Sequence, residues 1–96
     1  MRKDNINVFK ACELARRYFI ENNYTGEILR LKELNDKWVF TGMAVGVTET
    51  DYGNCSVAVE KSSGNTYEYN INAPNNVIAY IDGKLIDIPK KYKYKG

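Results

Sequence analysis

The sequence predicts an α+β domain: an N-terminal helix laid on one face of a curved antiparallel meander, in the order helix–strand–strand–strand–strand. Three observations carry this reading. Lys37 to Val47 is rich in β-branched and aromatic residues and apolar on both alternating sets, the pattern of a central strand. Val8, Ala11, Cys12, Ala15, Tyr18 and Phe19 recur at helical spacing, with Lys10, Glu13, Arg17 and Glu21 opposite them. Cys55, Val57 and Val59, then Tyr67, Tyr69 and Ile71, alternate with polar residues on either side of Lys61-Ser-Ser-Gly-Asn, which makes a hairpin.

The helix is expected to start at an Asp4 or Asn5 cap and to run to about Asn22, where Asn22-Asn23 and Gly26 supply the stop. Gly26 to Leu34 reads as the first strand. Asn35-Asp36 is a two-residue turn of residue types suited to positive φ. That turn sets Leu34 opposite Lys37, Leu31 opposite Phe40 and Leu29 opposite Gly42. Leu29, Leu31, Trp38 and Phe40 then share the face under the helix, and Gly42, Ala44 and Gly46 form a shallow trough where the helix crosses.

In the second hairpin, a three-residue loop with Gly64 left-handed would pair Lys61 with Asn65. Val59 then faces Tyr67, Val57 faces Tyr69, and every apolar residue falls on one face. Residues 76–88 fit two assignments, a hairpin turning at Asp82-Gly83 or a short helix from Asn76 to Asp82 capped by Gly83. Residues 1–89 are read as a single domain, and Lys90 to Gly96, beyond Pro89, as a flexible basic tail.

The net charge of +2 is unevenly spread. Residues 1–22 carry five basic and three acidic residues, 23–83 four and eight, and 84–96 five and one, so the sheet is acidic and the tail basic. No apolar run approaches the roughly 20 residues of a membrane helix, and no apolar stretch follows the N-terminal basic residues. The expected location is the cytoplasm, with no membrane partner. There, Cys12 and Cys55 are expected to be reduced thiols.

The sequence contains no histidine, which removes the commonest general base and metal ligand. Gly42-Met-Ala-Val-Gly46 lies on a strand and lacks the lysine of a phosphate loop. No Cys or carboxylate cluster has metal-ligand spacing. The chain is therefore read as a non-enzymatic protein-binding module without a cofactor, engaging a protein partner or a second copy. The candidate surface is the second sheet face, where Val39, Met43 and Val45 would form an apolar patch rimmed by Arg30 and Lys32, unless Val77 to Ile88 folds back over it or a second copy covers it. Two alternatives stand beside it. The Lys/Tyr tail is suited to single-stranded nucleic acid, although the acidic sheet opposes a polyanion. A small ligand could sit between helix and sheet above Gly42 and Gly46.

Asp36-Lys-Trp-Val-Phe, a loop ending Gly53-Asn-Cys, and Val57-Ala-Val-Glu-Lys-Ser-Ser-Gly-Asn-Thr-Tyr-Glu-Tyr together resemble the YrhB-type domain of bacterial immunity proteins. The same hairpin is similar to PepSY-type and other cystatin-like domains. The first resemblance implies neutralisation of a toxin by direct binding. The second implies an inhibitory or regulatory module with a cystatin-like arrangement of helix and sheet.

Overall fold

A computed structural model describes residues 6–44, 55–71 and 73–93. Helix α1 (Val8–Glu21) is followed by strands β1 (Tyr24–Glu33), β2 (Lys37–Ala44), β3 (Cys55–Glu60) and β4 (Thr66–Glu68). Helix α2 (Pro74–Asp82) and a two-residue strand β5 (Lys84–Leu85) complete the chain of elements. All strand pairs are antiparallel, in the order β4-β3-β2-β1-β5. The predicted α+β class, helix on an antiparallel sheet, is the observed one.

The cap of α1 is Asn7, not Asp4 or Asn5: its side-chain oxygen accepts the Lys10 amide at 2.9 Å. The expected stop holds, and Asn23 adopts φ 68°. Ala11, Cys12, Ala15 and Phe19 bury the inner stripe of α1 against Leu31, Trp38, Phe40, Val57 and Val59. Small residues in mid-stripe bring the helix close to the sheet. Phe19 then fills the predicted trough, its ring carbons 2.7 Å from where a Gly42 Cβ would stand. Neither the ring, fully buried, nor the central strand can yield easily. Gly42→Ala is therefore expected to cost about 1–3 kcal/mol, measured by chemical denaturation, and an unchanged midpoint would show that the ring moves aside.

The turn between β1 and β2 keeps its predicted register, with the Leu34 amide on the Lys37 carbonyl at 2.9 Å and Leu31 opposite Phe40. Neither Asn35 nor Asp36 takes a positive φ. Further back along β1, the pairing shifts between Ile28 and Arg30. Ile28, rather than Leu29, therefore faces Gly42 and joins the core under α1.

The second hairpin departs from expectation by one residue. Glu60, not Lys61, pairs with Asn65, so the connection has four residues; the Gly64 amide closes on the Glu60 carbonyl at 2.8 Å, with φ 78° at Gly64. Lys61 is held elsewhere. Its amide donates to the Asp36 carbonyl, its carbonyl accepts from Ile6, each at 2.9 Å, and its ammonium reaches Glu33 at 2.7 Å and lies over the Trp38 ring. The slip sets Ala58 opposite Tyr67 and Val57 opposite Glu68. Both tyrosines thereby move to the second face, where Tyr69 packs with Leu34, Val39 and Ala58 in a separate small core.

The short helix is the observed assignment, two residues longer at its start than expected, with Pro74 in the first turn and Gly83 after the last. The hairpin alternative is absent because Lys84 and Leu85 pair with Glu33 and Lys32 of β1 instead, and the Ile86 amide bonds to the Leu31 carbonyl. Of the segment read as a flexible tail, residues 90–93 are described and are docked instead, while residues 94–96 lie outside the described residues. The Ile28 amide donates to the Tyr92 carbonyl at 2.8 Å, Lys93 bridges to Ile28, and Tyr92 is 4 % exposed within the core under α1.

Candidate functional site

Around Val39 the second face of the sheet is covered, by Tyr69 and by the fold-back of the segment that begins at Val77, rather than left as an open apolar patch. Val39 is 1 % exposed, lying beneath Tyr69, with Tyr80 of α2 packed against the same cluster. Lys32 is tied to α2: its ammonium donates to the Tyr80 carbonyl at 2.8 Å and lies 4.5 Å from the centre of the Tyr80 ring. A cation held by the carbonyl of the helix's last turn also opposes the negative end of the helix dipole. Of the five predicted residues, only Arg30 is exposed; Val45 and the side chain of Met43 lie outside the described residues. Val39 and Lys32 therefore hold α2 on the sheet, and are not available as a docking surface.

Covering that face creates another. Val77 and Tyr80, three residues apart, turn towards the sheet and are half-buried, and no residue of α2 is fully buried. Ile78 and Ile81 occupy the adjoining outward stripe, and Leu85 on β5 follows them; each is about two-thirds exposed. A surface helix ordinarily places charged or polar residues on its outer face. Ile78 and Ile81 are an exception, and Leu85 lies on β5, an edge strand of the sheet. Sequence reasoning missed them because it left helix and hairpin open for this stretch. The signal was Val77, Ile78, Tyr80 and Ile81 together, more apolar residues than one face of a nine-residue helix can bury.

On the polar flank of α2, Asn75, Asn76, Ala79 and Asp82 meet Asp36, Lys37 and Tyr69 around an open cavity of about 520 Å³. Lys37 and Asp36 are paired at 2.8 Å, and that hydrogen bond holds the Asp36 carboxyl below its ordinary range. Glu33, on the same wall, pairs with Lys61 at 2.7 Å, and Asp82 also lines the cavity.

The described residues contain no group of three His, Cys, Asp or Glu side chains that could hold a metal ion. Burial, aided by the neighbouring Glu13 carboxylate, pushes the Cys12 thiol up to about 11, away from nucleophilic use near neutrality. In a chain carrying Cys55→Ser, native Cys12 should react with a disulfide reagent on the order of a hundredfold more slowly than the same chain unfolded, since the thiolate fraction falls about tenfold per unit. Comparable rates in the two states would place the thiol at the surface. Of the third candidate, a ligand space above Gly42 and Gly46, the part above Gly42 is occupied by Phe19, and Gly46 lies outside the described residues.

No helix among the described residues is long and apolar enough to cross a membrane. No family model, curated protein or solved structure matches the chain.

Proposed function

We propose that the chain is a small cytoplasmic protein-binding module, non-enzymatic, acting by direct docking in the manner of an immunity or inhibitor protein. The observation that carries this reading is the outward stripe of Ile78, Ile81 and Leu85. Their exposed area is on the order of 300–400 Å², the size at which a monomer's largest apolar patch is often functional. It falls short of the roughly 800 Å² per partner of a standard interface, so these residues supply the centre and a partner protein must add contacts around them. That arithmetic favours a foreign partner over a second copy meeting this stripe alone. The YrhB-type and cystatin-like resemblances agree with a binding role.

The test is Ile78→Glu combined with Ile81→Glu. Both side chains are already mostly in water, so the fold should keep its circular dichroism and melting temperature. A charge at the centre of an apolar interface must be desolvated for a partner to dock, and complex formation should fall by at least about a hundredfold. A partner, captured and purified with the wild-type chain, that binds the double variant equally well overturns this surface. Sedimentation of the wild type alone should give a monomer.

A further inference from the structure

We infer that the chain carries a second contact surface, a cleft between α1 and the docked C-terminal segment that receives an acidic, apolar-bearing segment of a partner protein. The inference extends the protein-binding reading but does not depend on the α2 stripe. Arg16, Arg17 and Ile20 of α1 face Lys91 and Tyr92 across an open cleft of about 490 Å³, with Glu13 and Glu21 also on its walls. The cleft exists because Tyr92 is buried: the bond from Ile28 to the Tyr92 carbonyl brings the lysine-rich end of the chain alongside the helix.

None of the three cations of the cleft is in an ion pair among the described residues. Arg17 stands four residues from both Glu13 and Glu21, the spacing at which opposite charges pair on a helix, yet neither pair forms. The ion pairs among the described residues are Lys37–Asp36 and Lys61–Glu33, both at the far turns of the sheet. Arg16, Arg17 and Lys91 are all exposed, and three cations against two acids leave the cleft positive in a chain whose central part is acidic.

Two further observations select the class of anion. Ile20 lines the cleft and is 53 % exposed, so an apolar side chain is accommodated beside the charges. Tyr92, which a single nucleic-acid strand would need as a stacking platform, is 4 % exposed, and Lys91 lies 5.4 Å from its ring centre. A carboxylate-bearing peptide with an aliphatic residue fits this chemistry, and among the described residues the cleft presents no exposed ring for a base to stack on. The cleft is open rather than enclosed, which suits an extended chain.

The experiment measures binding of a fluorescent peptide of alternating Glu and Leu to the full chain, beside the same peptide with Ser for Leu and an oligothymidylate. The Glu/Leu peptide should bind at low salt, weaken at least about tenfold as salt rises from about 50 to 200 mM, and bind more tightly than the other two probes. Arg16→Glu with Arg17→Glu, and separately Lys91→Glu, should each weaken it about tenfold or more. Ile20→Ser should erase the preference for Leu over Ser. The Ile78→Glu, Ile81→Glu chain should bind the peptide as the wild type does, so failure of the α2 surface and failure of the cleft are read independently. Absent binding, equal binding by the charge-reversed chains, or tighter binding of the oligothymidylate lost on the same reversals would each overturn the assignment.

Discussion

Phe40→Ala should unfold the chain about 3–5 kcal/mol more easily than the wild type, the largest effect expected of any single side chain here. Phe40 lies on the central strand β2, with Leu31 beside it on β1 and Val57 on β3, and all three are fully buried. The α1 stripe closes over them. Truncation removes a ring whose neighbours are held on two sides by strand pairing and on the third by α1, so they cannot easily collapse into the space. The lost transfer energy and the cavity therefore add. Against a total of roughly 5–15 kcal/mol, this is a large fraction of the stability of the domain. In a domain of this size the melting temperature should fall on the order of 20 °C. A fall of only a few degrees would mean that the interior is loosely packed around β2. An exposed aromatic, Phe9, serves as the control: Phe9→Ala should leave the midpoint within about 0.5 kcal/mol of wild type.

Local chemistry made part of this fold legible, and long-range contacts determined the rest. The α1 stripe, the Asn23 stop and the pairing of Leu31 with Phe40 follow from periodicity and turn residues a few positions apart. The Glu60–Asn65 register does not. Lys61 leaves the hairpin because the Asp36 carbonyl and the Ile6 amide claim its backbone, and both lie more than twenty residues away in sequence. One residue of slip then transfers Tyr67 and Tyr69 to the second face, where Tyr69 covers Val39. The bulge that exchanges Leu29 for Ile28 has a similar cause. The Ile28 amide bonds outward to Tyr92, a partner at the other end of the chain. The docking stripe on α2 became visible only with the helix in place. An Ile in an apolar run carries no local mark of whether it faces the sheet or water.

Truncation after Pro89 should destabilise the domain by about 3–6 kcal/mol, the opposite of what a run of lysines beyond a proline suggests. Two losses combine. Removing Tyr92 strips a nearly fully buried ring from the core under α1, a cost comparable to other aromatic deletions at about 3 kcal/mol or more. Removing its carbonyl leaves the amide of Ile28, itself fully buried, without the acceptor it has at 2.8 Å; an orphaned buried donor costs about 1–3 kcal/mol. The two are separable. Tyr92→Ala keeps the backbone bond and should give only the first part of the loss, so the difference between it and the truncated chain estimates the second. Charge can be separated in the same way. Replacing Lys90, Lys91 and Lys93 with Gln should change stability little, because all three are exposed and none forms an ion pair. The same replacement should weaken binding of the Glu/Leu peptide several-fold, less than Lys91→Glu does, since Lys91 lines the cleft. Denaturation curves of the three chains distinguish a docked aromatic anchor from an electrostatic tail, and coincident curves for the truncated and full-length chains would show that the segment is not anchored at all.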